Sequence, residues 1–275
     1  MAKATMNNSN HQAKKRFGQN FLVDGNIINR IIRAVNPLPD EHLVEIGPGL
    51  GALTSHLVDK DCRLDVVEID RDLAAKLEKQ YAGSPRFKLH LMDALKADFG
   101  ALAEKDQPLR VIGNLPYNIS TPLLFHLLSY KDRIHDMHFM LQREVVDRLG
   151  SSEGKKTYGR LSVMVQYHCH VEPLFVVPPS AFKPAPKVES AIVRLRPRTR
   201  TIPVADPKFF AQMVNACFQQ RRKTLRNGLK LLLKEMPDDC ISGIDLGRRP
   251  ETFSVEEFIA LANQLSALRD ATNHE

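Results

Sequence analysis

The fold is determined by one apolar run, Leu43-Val44-Glu45-Ile46, and by the loop that follows it, Gly47-Pro48-Gly49-Leu50-Gly51. The run has the composition of a buried strand, and a helical pattern begins at Ala52. Glycines allow a tight turn, a close approach of the backbone to a ligand and a helix start whose N–H groups face that ligand. The stretch predicts a strand–loop–helix unit that binds a small molecule. The alternative is that the glycines form only a turn.

Further apolar runs predict that this unit belongs to an α/β sheet. They cover residues 64–69, 87–91, 110–112 and 137–141, with helical patterns at 72–81 and 121–128. Strands that alternate with helices are typical of a parallel, doubly wound sheet. Two later runs with strand-like alternation, 160–170 and 189–195, are joined by a proline-rich loop. They predict an antiparallel hairpin at the edge of the sheet.

The pattern changes after Leu195. Residues 196–207 contain three prolines and no apolar period, which predicts a linker. Helical patterns follow at 209–218, 221–234 and 255–268, and Ser254 with Glu257 forms a capping signal for the last of them. We therefore expect a disordered tail (1–12), an α/β domain (13–198) and a small all-helical domain (199–275).

Cysteine usage and hydropathy indicate the compartment. The four cysteines lie far apart, without a Cys-x-x-Cys pair, and no segment has the length and apolarity of a membrane span. We expect a soluble, reduced, cytoplasmic protein. His168-Cys169-His170 resembles part of a metal site, but a third ligand with suitable spacing is not evident. We expect a structural or solvent-facing role for it, and no metal.

Two carboxylates at later strand ends specify the ligand further. Glu68 lies 19 residues after Gly49, near the spacing at which an acidic side chain binds ribose hydroxyls. Asp93 stands where a carboxylate can accept a hydrogen bond from an adenine amine. The alternative is that both acids are ordinary strand-end caps. The form Glu-x-Gly-x-Gly-x-Gly, with Pro48 inside it, differs from the usual dinucleotide fingerprint. It resembles motif I of the S-adenosylmethionine-dependent methyltransferases.

The strand at 110–112 leads into Gly113-Asn114-Leu115-Pro116-Tyr117, which suits chemistry on an adenine amine. The exocyclic amine of adenine is a poor nucleophile because its lone pair is delocalised into the ring. Two acceptors, the Asn114 side-chain oxygen and the Leu115 carbonyl, can accept hydrogen bonds from its two hydrogens. This favours a more tetrahedral nitrogen whose lone pair is directed at a methyl group. Pro116 fixes φ, and Tyr117 offers a stacking face worth roughly 1–3 kcal/mol. Phe182, in the proline-rich loop, is a candidate for the other face of the base. The alternatives are a structural turn with a buried tyrosine, and a phenylalanine that only anchors its loop.

Several segments together resemble the KsgA/RsmA family of ribosomal RNA adenine dimethyltransferases. They are residues 14–22, 45–51, 114–122, 182–188 and 220–227. The resemblance implies a Rossmann-like methyltransferase domain, a helical RNA-binding domain and S-adenosylmethionine as methyl donor. It implies dimethylation of two adjacent adenosines in the 3′-terminal hairpin of 16S rRNA, late in the assembly of the small ribosomal subunit, by a monomer.

The resemblance also assigns residues. The cofactor would be bound by Asn20, Leu22, Gly47, Gly49, Glu68, Asp93 and Asn114, and Tyr117 and Phe182 would bracket the base. The erythromycin-resistance methyltransferases, which modify a single large-subunit adenine, share several of these motifs. A catalytically idle RNA-binding assembly factor is a third possibility. The segments 120–125 and 221–224 favour the small-subunit family.

The distribution of charge indicates where RNA binds. The net charge is +7, but residues 194–234 alone carry 11 basic and one acidic side chain. If 221–234 is a helix, Arg222, Arg226, Lys230 and Lys234 form a ridge, and Phe218, Leu225, Leu229 and Leu232 form a core-facing stripe. We assign phosphate contacts to Arg221, Arg222, Lys223, Arg226 and Lys230. The alternative is an ordinary solvated helix.

Overall fold

The structure, a computed structural model, describes residues 19–104, 107–220, 222–230, 232, 241 and 243–272. The strands are β1 (Phe21–Leu22), β2 (His42–Ile46), β3 (Arg63–Glu68), β4 (Phe87–Leu91), β5 (Leu109–Asn114), β6 (Ile134–Gln142), β7 (Cys169–Val177), β8 (Phe182–Lys183) and β9 (Ser190–Pro197). The helices are α1 (Gly25–Val35), α2 (Thr54–Leu57), α3 (Arg71–Tyr81), α4 (Phe99–Leu102), α5 (Ser120–Leu128), α6 (Arg143–Leu149), α7 (Arg160–His168), α8 (Pro207–Gln219), α9 (Leu225–Leu229) and α10 (Val255–Thr272).

Seven of these strands form one sheet in the order β4-β3-β2-β5-β6-β9-β7. The five strands β2 to β6 are parallel to one another, and β9 is antiparallel to both of its neighbours, β6 and β7. The five predicted parallel strands are therefore confirmed. An antiparallel pair does lie at this edge, but its first strand is β7 (Cys169–Val177) and not the predicted run 160–170. A separate antiparallel pair joins β1 to β8, with Leu22 opposite Phe182.

Alternation along the strands divides the apolar side chains between the two faces of the sheet. In β2, Val44 and Ile46 enter the core that α5 and α6 cover, whereas Leu43 enters the core under α1. The Asp24 side chain caps α1 by accepting hydrogen bonds from the N–H groups of Asn26 and Ile27. The carboxyl ends of the parallel strands consequently share one rigid edge.

The prediction of a strand at residues 160–170 is wrong. Residues 160–168 form α7, and the strand begins only at Cys169. Val165 packs in the core of the sheet, while Val163 and Tyr167 pack among the C-terminal helices. A helix buried on two sides has apolar residues at more positions than one helical stripe, so its pattern resembles a strand. Pro173, predicted to lie in the loop, is inside β7 at a register shift.

The C-terminal helices share a second apolar core with α7. The predicted capping box of α10 is confirmed, since Ser254 and Glu257 each donate a backbone N–H to the other's side chain, at 2.8 and 3.1 Å. The proposed domain boundary at residue 198 stays a prediction, and the packing of α7 against α8 crosses it. The predicted tail, residues 1–12, lies outside the described residues.

The predicted helix at 221–234 is much shorter within the described residues. Thr224 is extended, and α9 covers only Leu225–Leu229. The first N–H groups of α9 donate to the carbonyls of Arg248 and Leu246, so a neighbouring loop replaces the preceding helical turn. Arg222 therefore precedes the helix and is not part of a helical ridge, and Lys234 lies outside the described residues. The predicted stripe holds in part, because Leu225 and Leu229 are buried. Among the described helices, none has both the length and the apolarity needed to cross a membrane.

Candidate cofactor and base site

A cleft opens where β2, β3, β4 and β5 end, at the edge predicted to bind the ligand. It encloses about 1050 Å³ of empty space, including the part open to solvent. The predicted site residues that line it are Asn20, Leu22, Gly47, Gly49, Glu68, Asp93, Asn114, Leu115, Pro116 and Tyr117. The structure thus brings together segments that are up to about 100 residues apart in the chain.

The glycine loop forms the floor of the cleft. Gly47, Gly49 and Gly51 have φ values of +65°, +59° and +82°, a region that favours glycine. A Cβ atom on Gly49 would lie 3.1 Å from the ring of Phe21, which covers the loop. The loop is therefore limited to glycine by its backbone conformation and also by its close contact with β1.

Glu68 connects the end of β3 to the glycine loop. Its side chain is 5% exposed. One carboxylate oxygen accepts hydrogen bonds from the N–H groups of Ile69 and Asp70, both at 2.8 Å, and the other accepts from Gly49 N at 3.4 Å. Burial raises the pKa of Glu68, although these three donors oppose the shift. The carboxylate is held in one orientation at the wall of the cleft.

Glu45 is a cleft residue whose environment the sequence did not reveal. Its carboxylate is buried, and it accepts a hydrogen bond from Thr54 Oγ1 at 2.7 Å. Burial, together with the nearby charge of Glu68, raises the pKa of Glu45 to about 7. The cleft therefore contains a carboxyl group, that of Glu45, which ionises less readily than an ordinary glutamate.

The cleft also has an apolar rim that sequence reasoning missed. Leu50, Ile69 and Met92 line it although they are 43%, 47% and 39% exposed. Each of them is adjacent in sequence to a predicted ligand residue. A large apolar side chain directly beside such a residue was the sequence signal that could have identified them. Asp93 uses one carboxylate oxygen to cap a short helix through Leu95 N, at 3.0 Å. Apolar walls beside fixed carboxylates suit a purine nucleoside, so these residues fit the adenosine part of S-adenosylmethionine.

Asn114 is oriented by the segment before β1. Its side-chain Nδ2 donates to the backbone carbonyl of Asn20 at 3.1 Å, so the other polar atom of the side chain, Oδ1, is left as an acceptor. The N–H of Leu115 donates to the carbonyl of Met140 in β6 at 3.2 Å. The two acceptors predicted from the sequence therefore lie on a backbone that is fixed from both sides.

Tyr117 lies in the wall of the same cleft and is held by β9. Its hydroxyl forms a 2.7 Å hydrogen bond with Oγ of Ser190, a fully buried residue that the sequence reasoning did not identify. Burial raises the pKa of Tyr117, so its hydroxyl is neutral at physiological pH. The bond leaves the faces of the ring as the part of Tyr117 available to a base.

The structure does not place Phe182 in the cleft. Its side chain is 3% exposed and packs with Leu22, Ile27 and Ile28 in the core under α1. In this position Phe182 pairs with Leu22 of β1 and packs in the core beneath that strand. Its assignment as a stacking partner of the base stays a prediction.

The predicted RNA-binding residues are on the surface around α9. Arg222, Lys223 and Lys230 are exposed, Arg226 is half-buried, and Arg221 lies outside the described residues. Their role stays a prediction.

The two histidines of the possible metal motif are separated by the end of α7. His168 is the last residue of the helix, whereas His170 is exposed in β7, so the two side chains do not lie on one strand face. Burial, with nearby Lys131 and Arg200, lowers the pKa of His168 to about 4. Over the residues that the structure describes, no group of three or more potential ligands could hold a metal ion.

The parallel strands of the sheet lead into the glycine loop, the two carboxylates Glu68 and Asp93, and the Asn114 segment. This arrangement defines a class of protein, the Rossmann-like S-adenosylmethionine-dependent methyltransferases. Comparison with known proteins narrows this class. A sequence profile described as ribosomal RNA adenine dimethylase matches residues 10–267, and the chain belongs to this family. It is therefore an S-adenosylmethionine-dependent enzyme that methylates adenine in ribosomal RNA.

Similar proteins include two named ribosomal RNA small subunit methyltransferase A. The one from Saccharophagus degradans is 56% identical over 256 residues, 93% of this chain and 95% of the relative. The one from Pseudomonas aeruginosa is 54% identical over 259 residues, 94% of this chain and 96% of the relative.

Two solved structures share the fold over 90% of this chain. A dimethyladenosine transferase from Plasmodium falciparum has a TM-score of 0.73 at 24% identity, with 98% of its chain covered. The 23S rRNA methyltransferase ErmE has a TM-score of 0.68 at 27% identity, with all of its chain covered. Both likenesses include the helical C-terminal region, because they extend over nearly the whole chain.

Proposed function

We propose that this protein dimethylates the N6 amines of two adjacent adenosines in the 3′-terminal hairpin of 16S rRNA. It would act as a cytoplasmic monomer on a precursor of the small ribosomal subunit. The choice of subunit is supported by the relatives of 56% and 54% identity, which are named for the small subunit, against 27% for the 23S enzyme. One observation carries the chemistry: Asn114 is held by the Asn20 carbonyl so that its Oδ1 is free to accept, in the same cleft as Tyr117.

Different residues of the cleft would bind the two ligands, S-adenosylmethionine and the target adenine. Glu68, Asp93 and the apolar rim would hold S-adenosylmethionine, which supplies the methyl group when bound. Asn114 Oδ1 and the Leu115 carbonyl would accept the two hydrogens of the adenine amine, which favours a tetrahedral nitrogen with an available lone pair. The face of Tyr117 would hold the extruded base. The protein contributes mainly by positioning, and neutral acceptors suffice because the proton can leave after transfer.

The proposal is tested by mapping methyl transfer. The protein is incubated with labelled S-adenosylmethionine and either small or large subunits that lack the modification, and the labelled nucleotides are then located. Label on two adjacent adenosines near the 3′ end of 16S rRNA is expected. Label on a 23S adenine would support the second candidate, to which the ErmE likeness points. Absence of label from both subunits would support a non-catalytic assembly role.

Asn114→Ala separates catalysis from binding. The variant loses the side-chain acceptor that we assign to the adenine amine, so we expect the turnover number to fall by at least about a hundredfold. Binding of small subunits, measured by filter retention, should remain within about twofold, because the basic surface is unchanged. Unchanged turnover would remove Asn114 from the mechanism.

A further inference from the structure

The loop at residues 183–189 connects two walls of the cleft. It begins at Lys183, which pairs with Phe21 of β1, a residue that lines the cleft. It ends next to Ser190, whose side chain holds the hydroxyl of Tyr117 at 2.7 Å. Both ends of the loop are therefore anchored to residues that surround the ligand site.

The loop is stiff as well as exposed. Pro184 and Pro186 each fix one φ angle, and the carbonyl of Glu189 accepts a hydrogen bond from Arg143 N at 3.0 Å. Every residue from 183 to 189 except Pro186, which is half-buried, is exposed. A loop that is already rigid loses little conformational entropy when it contacts a ligand.

The loop carries two positive charges that its surroundings do not neutralise. The side chains of Lys183 and Lys187 are exposed and form neither an ion pair nor a hydrogen bond with any residue in the described part of the chain. The loop's acidic residue, Glu189, is paired instead with the guanidinium of Arg143 at 2.7 Å. The loop that joins the two walls of the cleft therefore presents two ammonium groups to an incoming polyanion.

We infer that loop 183–189 is a second phosphate-binding element, in which Lys183 and Lys187 contact the RNA backbone next to the target adenosine. The inference rests on the proposed function. Moving a nucleotide out of its stack costs a few kcal/mol and brings its flanking phosphates to the mouth of the pocket. Cations on this loop stabilise that extruded state, whereas the basic residues around α9 lie in the helical C-terminal part of the protein.

The test compares two charge-matched double variants. In Lys183→Gln/Lys187→Gln the loop loses both charges. In the control, Lys79→Gln/Lys88→Gln, the same number of charges is removed from exposed positions on α3 and on β4, the opposite edge strand of the sheet. Affinity for unmethylated small subunits is measured by filter binding between about 50 and 200 mM KCl at constant Mg²⁺. Turnover and the affinity for labelled S-adenosylmethionine are measured in parallel.

We expect each lost phosphate contact to reduce the slope of log affinity against log salt by about 0.7–0.9. At about 0.1 M salt, each lost contact should weaken RNA binding about fivefold. This factor follows because a slope of 0.7 changes the affinity about fivefold over the tenfold range between about 0.1 M and 1 M salt. The affinity for S-adenosylmethionine should match the wild type.

A loop variant with the slope and affinity of the control variant overturns the inference and leaves the proposed function intact. A wild-type protein that transfers no methyl group to small subunits refutes the proposed function itself.

Discussion

Replacing Ser190 by alanine tests whether Tyr117 acts through its orientation. Ser190 is fully buried on β9, and its Oγ lies 2.7 Å from the hydroxyl of Tyr117. A hydrogen bond between neutral groups contributes about 1 kcal/mol net, which corresponds to about a fivefold change in the population of the held ring. We therefore expect Ser190→Ala to lower kcat/KM for small subunits by about fivefold while the affinity for S-adenosylmethionine stays the same.

Two further variants separate orientation from general stability. Tyr117→Phe keeps the stacking face but removes the same hydrogen bond, so the double variant should cost no more than either single variant. Ser162→Ala is the control, since Ser162 is equally buried and donates to the Arg148 carbonyl at 2.6 Å in a part of the fold that does not line the cleft. It should lower the melting temperature without changing kcat/KM. Additive effects of the Ser190 and Tyr117 changes, or wild-type kcat/KM in both, would refute the reasoning.

Two other residues of the cleft give predictions of their own. Gly49→Ala places a Cβ 3.1 Å from Phe21 at a φ of +59°, so equilibrium dialysis should show at least about tenfold weaker binding of S-adenosylmethionine, with an unchanged circular dichroism spectrum. Because the pKa of Glu45 is raised from 4.5 to about 7, the folded state holds an extra proton in this window and stability falls as pH rises through it. Urea unfolding should show that Glu45→Gln removes about 2.5 kcal/mol of this loss of stability between about pH 5 and pH 8. An unchanged pH profile would contradict the assignment.

The parallel strands and the glycine loop were predictable because their signals are local. In β2 and β3, runs of apolar residues end directly at the glycine loop and at Glu68, so sequence order alone places these groups at one edge. Asn114 and Tyr117 followed from the same rule at the end of β5. The strand assignment at 160–168 failed because α7 is buried against two cores, and that burial is a property of the tertiary structure.

Contacts between distant segments could not be derived from the sequence in this way. Ser190 is 73 residues from Tyr117, and the Asn20 carbonyl is 94 residues from Asn114. Each of these pairs depends on which strands become neighbours, and hydropathy does not encode that choice. The burial of Phe182 has the same origin, because it depends on the pairing of β8 with β1.

The reversed direction of β9 explains why these distant contacts meet at the cleft. Because β9 is antiparallel to β6, its first residue, Ser190, lies opposite Gln142, the last residue of β6. The start of β9 therefore lies at the edge where the parallel strands end. A parallel β9 would have placed its first residue at the other edge, and its last residues would lie beside Tyr117. The antiparallel strand thus supplies the anchor of Tyr117. It also brings the end of the preceding loop, which carries Lys183 and Lys187, to the edge of the sheet where the cleft opens. In the proposed function, the orientation of the base and the contact with its phosphates would therefore both depend on the direction of β9.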